Sequence, residues 1–345
     1  MIETSQPSKP ALDSKNFLVV WPLFFVICFG LGYAAVQRYD PRQAKGMSDS
    51  WKYYWMTTGA ETSSIKPLFR GRVLVPAVAH PFFSIAQGFL PTEKAAFLGL
   101  LIANSLFCAT TACLIVSVGT SVLNDLSTAL LGATLYLLSF AISNFQVSGL
   151  IDSGEACFMV AVLWSLLAGR MYLLLLWAVL GALAKETFVP FSTVFAFTWW
   201  LVEWRQGKRS YASLKWIVLL GLVGLTTVSA VHSVMAEHVV WPWQVAAQAR
   251  ASGNFFVALV RCLTERSFWY VFLWLIPLGI WRLRQFPKPW LTAALTTSIV
   301  ALVFGAYNDS GGTVARAMFD IVGTLLSLSV ASLISRPPLV PAKVR

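Results

Sequence analysis

The segment LLLLWAVLGALAKETFVPFSTVFAFTWWLV, residues Leu173–Val202, is an apolar run of 30 residues whose only charges are Lys185 and Glu186. A straight helix of that length would measure about 45 Å, whereas the hydrocarbon core of a bilayer is about 30 Å thick. The charged pair and Pro190 therefore predict a break near the middle, with a shorter helix on either side. Non-helical backbone at membrane depth is tolerated only where it lines a cavity or is buried in protein. We predict that this break lines a hydrophilic cavity.

The composition of the whole chain is that of a membrane protein. Of its 345 residues, 57% are hydrophobic and 12% are charged, against about 45–50% and about 25% in ordinary globular domains. That leaves too little polar surface to coat a soluble particle. The net charge of +11 would suggest nucleic acid in a soluble protein. Here the basic residues fall between apolar segments, where topology and lipid headgroups explain them, so membrane lipids and no nucleic acid are the expected partners.

Ten apolar segments predict an all-α polytopic membrane protein with about ten transmembrane helices in one domain, residues 1–345. The segments comprise residues 17–36, 95–118, 126–145, 155–169, 171–184, 187–202, 214–235, 268–281, 289–307 and 314–335. The first is longer than the apolar part of a cleaved signal peptide, about 7–15 residues, and further spans follow it. A retained signal anchor is therefore expected.

The distribution of basic residues predicts the orientation. The compact basic connections Glu203–Ser213 and Trp281–Lys288 indicate the cytoplasmic side of a cell inner membrane. Ten spans then place both termini, including residues 1–16, in the cytoplasm, and the long loop 38–94 outside. Within that loop Val73–Leu90 is apolar but interrupted by prolines, so it is expected to form juxtamembrane helix that lies along the interface or re-enters the membrane.

The ionisable groups near span ends gather on the predicted outer side, where they are costly and by default mark function. They are Asp40, Asp152, Glu155, Lys185, Glu186, Asp309 and Arg316. Carboxylates and cations collected on one face suit an anionic lipid-linked substrate. The five cysteines form no CxxC motif or Cys/His cluster, so no metal ligands are predicted. The sequence requires no cofactor and leaves a divalent cation open.

Each candidate also has a purely structural interpretation. These are a solvated loop acid (Asp40), acids at a helix N-terminus (Asp152 and Glu155), structural charge neutralisation (Lys185 and Glu186), an intrahelical i,i+4 pair (Arg316 with Asp320) and a turn cap (His80, which precedes Pro81). No single residue decides between the two interpretations. Their convergence on one face favours the functional one.

Several of these features occur together in the order of a known family. A first span is followed by Arg38-Tyr39-Asp40, and the outer loop then runs through PLFRGRVLVP, residues Pro67–Pro76. A short acidic turn with Asp152, the break GALAKET at Gly181–Thr187 and a late span with Arg316 complete the pattern. This pattern resembles the GT-C class of membrane glycosyltransferases, which take sugars from polyprenyl-phosphate carriers.

The resemblance implies a GT-C-like fold and a role for each matching residue. Asp40 would be the general base on the acceptor hydroxyl, and Asp152, together with Glu155, the second-loop acid. Lys185 and Arg316 would hold the carrier phosphate. The further substrate-binding candidates are Glu186, His80, Arg70 and Arg72. The acceptor would be a glycan, a lipid or a protein. The chain departs from the family in having no double-acid pair at Asp40 and no large C-terminal soluble domain.

Other functions compete with this one. A transporter or flippase for a lipid-linked or anionic substrate would also use a broken helix and charges at membrane depth, but it usually shows repeated halves, and the sequence has none. If the protein were a non-catalytic scaffold, the outer acids would be dispensable for its function. A protease or acyltransferase is disfavoured because the histidines form no Cys/His or Ser/His constellation.

Overall fold

The structure is a computed structural model and describes residues 14–38, 49–59, 65–247, 254–308 and 311–335. All regular elements in these residues are helical, which confirms the all-α prediction. The helices are α1 (Ser14–Arg38), α2 (Ser50–Thr58), α3 (Pro67–Arg70), α4 (Leu74–Ala86), α5 (Thr92–Leu123), α6 (Leu126–Leu137), α7 (Asp152–Leu167), α8 (Leu174–Ala184), α9 (Phe188–Arg205), α10 (Leu214–Ala236), α11 (Pro242–Ala247), α12 (Phe255–Thr264), α13 (Arg266–Phe272), α14 (Leu275–Gly279), α15 (Lys288–Tyr307) and α16 (Gly311–Ser335). A π-helical segment, Ile142–Gln146, lies between α6 and α7.

The long apolar helices are those of a membrane protein. Five candidate spans in the described part of the chain are long and apolar enough to cross a bilayer: Phe17–Ala34, Thr92–Leu123, Tyr211–Ala236, Lys288–Tyr307 and Val314–Ser335. Shorter apolar helices accompany them. Large apolar side chains on α1 and α10 are exposed, among them Leu18 and Val19, each 71% exposed, as expected of surfaces that face lipid.

Two predicted spans are interrupted. In the span 126–145, helix α6 ends at Leu137 and the π-helical segment begins at Ile142. Residues 268–281 are divided between α13 and α14, with Leu273 and Trp274 between the two helices. Pro277 explains the position of the interruption, because a proline lacks the amide hydrogen and its ring clashes with the carbonyl four residues earlier, here that of Leu273.

The predicted break in Leu173–Val202 is present. Helix α8 ends at Ala184, Lys185 has extended backbone (φ −165°, ψ 135°), and α9 begins at Phe188. Pro190 is the third residue of α9, in the first turn, where a missing amide hydrogen costs no intrahelical bond. Lys185 is largely buried in protein, as the cost of an unpaired charge in hydrocarbon requires.

The helices between α1 and α5 form a cap over one end of the bundle. Helix α4 packs against α5 and α2. A buried cluster that includes Tyr53, Val75, Phe97 and Ile151 joins this cap to the start of α7. The cap therefore lies directly over the N-terminal end of α7, where the acidic candidates are.

Gly99 on α5 permits the close approach of α4. A Cβ at this position would lie 2.7 Å from the carbonyl oxygen of Ala79 and 3.0 Å from the amide nitrogen of Phe83, both backbone atoms. We expect Gly99→Ala to lower the free energy of unfolding by about 1–3 kcal/mol through overpacking. Gly30→Ala is the matched control, because no atom lies within 4 Å of its Cβ. Thermal unfolding of both purified variants in detergent measures the difference, and equal midpoints would contradict the close packing.

Candidate functional site

The N-terminus of α7 presents two buried acids to the break between α8 and α9. Asp152 and Glu155 lie in the first turn of α7 and are 2% and 1% exposed. The Lys185 Nζ lies 2.7 Å from the Asp152 Oδ1 and 2.5 Å from the Glu155 Oε2. The Thr187 hydroxyl donates to the Glu155 Oε1 at 2.6 Å. The break thus supplies both a cation and a hydroxyl to the acids of α7.

The last helix, α16, contributes a second cation. The Arg316 Nη1 donates to the Asp152 Oδ2 at 3.0 Å, so Asp152 binds a cation at each carboxylate oxygen. The predicted alternative of an intrahelical pair between Arg316 and Asp320 is wrong. Arg316 instead points across the bundle to Asp152 of α7.

A second ion pair ties the cap to the break. Arg72 binds Glu186 in bidentate fashion through one edge of its guanidinium, with Nε–Oε2 2.8 Å and Nη2–Oε1 2.5 Å. Its Nη1 donates to the Tyr53 hydroxyl on α2 at 2.9 Å. Burial opposes ionisation of Glu186, but the charge and hydrogen bonds of Arg72 outweigh it and lower the pKa of the Glu186 carboxyl below its usual value. Paired bidentate geometry of this kind is among the strongest side-chain contacts.

These six residues, Arg72, Asp152, Glu155, Lys185, Glu186 and Arg316, form one site, which we call the ion cluster. Its acids from α7 are at most 3% exposed, whereas the side chains of Lys185, Arg316 and Arg72 are 12%, 15% and 11% exposed. Burial acts to lower the pKa of Lys185, but the Asp152 and Glu155 carboxylates outweigh it and raise that pKa above its usual value. The cluster balances three cations against three acids, and the Glu186 side chain, at 14% exposed, is as accessible as the cations.

A third carboxylate, Asp320 on α16, lies beside the acids of α7. Asp152, Glu155 and Asp320 each offer an oxygen within 4.8 Å of the others. The Asp320 Oδ1 accepts from the Gln146 Nε2 at 3.0 Å, and its Oδ2 has no hydrogen-bond partner among the described residues. Such a trio has the ligand chemistry of a divalent-cation site. The Lys185 ammonium already occupies the space between two of the three, so a metal ion would have to displace it.

A groove lies next to the ion cluster, between the cap and the end of α10. Its volume is about 420 Å³, and two basic side chains, Arg70 and His80, lie in it with five apolar residues, Met56, Val73, Pro76, Ala77 and Met235. His80 lies within α4, so the prediction that it caps a turn is wrong. Its Nδ1 instead bonds the carbonyl oxygen of Thr57 at 2.8 Å and ties α4 to the end of α2. We call this the Arg70–His80 groove.

The predicted site residues therefore fall into two neighbouring places. Six form the ion cluster, and Arg70 and His80 line the groove. Asp40 and Asp309 lie outside the described residues. Four residues of the site were not predicted as functional: Tyr53, Gln146, Thr187 and Asp320. Thr187 belongs to the break Gly181–Thr187, and Gln146 is a polar residue at the end of an apolar segment just before Asp152, which is the signal that could have identified them.

Comparison of the chain with known protein families, curated proteins and solved structures finds no significant match.

Proposed function

We propose that the protein is a GT-C-like membrane glycosyltransferase that moves a sugar from a polyprenyl-phosphate carrier to an acceptor on the extracytoplasmic face of the cell inner membrane. The proposal includes about ten spans and two cytoplasmic termini. The observation that carries it is the ion cluster, in which Lys185, Arg316 and Arg72 are held by acids at a helix break beneath the cap. A lipid phosphate at the membrane surface needs such a set of cations.

In this proposal Lys185 and Arg316 bind the carrier phosphate. An ammonium has three donors, and Asp152 and Glu155 use two of those of Lys185. Arg316 uses one of its five donors on Asp152. The remaining N–H donors of Lys185 and Arg316 would bind the phosphate, while the carboxylates hold both cations in place. When the bond between the anomeric carbon and the phosphate oxygen breaks, negative charge grows on that oxygen, and fixed cations stabilise it.

The nucleophile is the acceptor hydroxyl. As its oxygen bonds to the anomeric carbon, its proton passes to a carboxylate, and the phosphate leaves with the electron pair of the broken bond. We assign the base role to Asp40, the first-loop acid. Asp152 is held between two cations, which makes a carboxylate a weak base, so we assign it the task of positioning Lys185 and Arg316.

One observation favours a transporter or flippase as the second candidate. Every charged side chain of the ion cluster is paired with another member of the cluster, at a broken helix. Paired charges that can exchange partners with an anionic substrate occur in transporters.

A transfer assay separates the two functions. Purified protein in nanodiscs is given polyprenyl-phosphate sugars with a radiolabel in the sugar, together with extracted envelope acceptors. Label in a product that has lost the polyprenyl carrier supports the transferase. Movement of the intact labelled lipid across vesicle membranes, with no transfer from any polyprenyl donor, would instead establish the flippase.

Cysteine labelling tests the proposed orientation. We expect Ser48→Cys, in the loop 38–94, to react with a membrane-impermeant maleimide in intact cells, because that loop is assigned to the outer face. The background should be low, since all five native cysteines are buried. Reaction only after permeabilisation would invert the topology. A cysteine at Gln206, in the basic connection between α9 and α10, serves as the opposite-face control.

A further inference from the structure

Asp320, one turn after Arg316 on α16, is a buried acid that the proposed reaction does not use. It is 5% exposed. Its Oδ1 accepts from the Gln146 Nε2 at 3.0 Å, and its Oδ2 has no hydrogen-bond partner. No cation of the described chain forms an ion pair with Asp320. The carboxyl group is therefore bonded to a neutral amide and to no counter-charge.

The charges of the ion cluster are already paired with one another. Its three cations bind its three acids. Asp320 is a fourth acid, and one of its oxygens lies within 4.8 Å of an oxygen of Asp152 and of an oxygen of Glu155. If Asp320 were ionised, three positive charges would face four negative ones in a buried space. A carboxylate without a counter-charge is too costly to bury, and such a group takes up a proton instead.

The groups that face Asp320 come from several elements of the bundle. The carboxylates of α7 act on it more strongly than the cations do, so its surroundings are negative. The phenol that faces it belongs to a ring that stacks on Phe319, the preceding residue, with centroids 4.8 Å apart. The charged and titratable groups are Arg316 on α16, Asp152 and Glu155 on α7, Lys185 at the break, Tyr136 on α6 and Cys108 on α5.

The π-helical segment Ile142–Gln146 positions the amide that bonds Asp320. Segments of this kind are rare and occur frequently at functional sites. Gln146 is 1% exposed, and its Oε1 accepts from the Cys108 Sγ at 3.5 Å, which directs the Nε2 to Asp320. One oxygen of Asp320 is thus supplied with a donor, and the other oxygen is left to hold a proton.

We propose that Asp320 is a proton-binding site that is occupied in the state described by the structure. The proton lies on the Oδ2, and the Oδ1 is the carbonyl oxygen that accepts from Gln146. The ion cluster then has as many positive as negative charges. Loss of the proton would add a negative charge beside Lys185 and Arg316 and would oppose a bound phosphate. The proton site follows from the contacts of Asp320, and its effect on the donor rests on the proposed function.

Infrared spectroscopy detects the proton directly, because a protonated carboxyl has a carbonyl stretching band that an ionised carboxylate lacks. The protein is purified at about pH 7, where exposed acids are ionised, in a maltoside detergent without carbonyl groups. We expect a carboxylic-acid band that shifts on exchange into D2O and is absent from Asp320→Asn, whose amide keeps an oxygen for Gln146. Equal bands in the two proteins would overturn the proposal. So would a band that appears only after a chelator removes divalent metal, because a metal ion would then be the counter-charge.

Two variants change the charge beside Asp320 in opposite directions while leaving Asp320 in place, so they do not depend on the folding of Asp320→Asn. Asp152→Asn removes a negative charge, and the band should be lost at a pH about one unit lower than in the unchanged protein. Arg316→Gln removes a positive charge and should keep the band to a pH about one unit higher. Glu203→Gln, which removes the partner of Arg209, is the control and should not move the band. An unmoved band in both of the first two variants would refute a proton site coupled to the ion cluster.

Sugar transfer tests the effect of the proton on the donor. The phosphodiester of the carrier keeps its charge throughout, so a change in its KM reports the protein. We expect this KM to rise about tenfold as the carboxylic-acid band is lost, since a coupling of one pH unit equals a tenfold change in affinity. Asp320→Asn should keep the low KM. A KM that does not follow the band would remove the donor role and leave the proton site. A band in a protein that transfers no sugar would refute the transferase and leave the proton site.

Discussion

Asp40→Asn is expected to lower the rate of sugar transfer by about 10²–10⁴-fold, the usual contribution of a positioned general base. The amide has nearly the size of the carboxylate but cannot take the proton of the attacking hydroxyl. Expression and thermal midpoint should stay unchanged. The measurement is the initial rate of label transfer from a polyprenyl-phosphate sugar at saturating acceptor.

Asp49→Asn is the matched control within the same loop. Asp49 pairs with Lys52 three residues later, at 2.5 Å and partly exposed to solvent. Pairs of this kind are worth at most about 1 kcal/mol. Transfer by Asp49→Asn should therefore be close to that of the unchanged protein. Near-normal turnover in Asp40→Asn, with the same donor and acceptor, would show that Asp40 is not the base. His80 would then be the next candidate for that role.

Lys185→Met is expected to lower the free energy of unfolding by about 3–5 kcal/mol, because it leaves Asp152 and Glu155 buried without their shared cation. Methionine fills nearly the same volume, so the loss reports charge and not a cavity. Lys208→Met, at an exposed position, should change stability by less than about 0.5 kcal/mol. Thermal unfolding in detergent, followed by loss of the folded monomer on gel filtration, measures both.

A double variant separates the structural from the functional role of the same lysine. In Lys185→Met with Glu155→Gln, the uncompensated charge is reduced, and part of the lost stability should return. If Lys185 binds the carrier phosphate, the double variant still has no sugar transfer above background. Full recovery of transfer together with stability would mean that Lys185 only neutralises the acids, as in the structural interpretation.

The sequence was sufficient to predict the break and the set of charges around it. Lys185 and Glu186 interrupt an apolar run too long for one span, so the cost of burying charge in hydrocarbon required partners for them. The acids of the Gln146–Glu155 turn and the late Arg316 were the available counter-charges. This reasoning depends only on length, polarity and chain order, which are visible in a sequence.

The partner of each charged side chain could not be predicted from the sequence. Arg316 bonds Asp152 instead of Asp320 because of how α16 is rotated against α7, and a helix can be rotated without any change in its sequence spacing. Likewise Glu186 bonds Arg72, 114 positions away, because of how the cap packs over the break, which no sequence spacing predicts. The continuity of each predicted span could not be read from apolar content either, because Pro277 divides a segment that apolar content alone predicts as one helix.

The pairing of Asp152 with Arg316 has a consequence for biogenesis. The two residues are 164 positions apart. At about 5–20 residues per second, the ribosome adds Arg316 roughly 8–30 s after Asp152. During that interval α7 must be held in or near the membrane with its acids only partly compensated, so we expect the nascent chain to depend on the insertion machinery to shelter α7 until α16 arrives. The ion cluster is thus completed last, and an intact Asp152–Arg316 pair marks a chain whose helices have all been assembled.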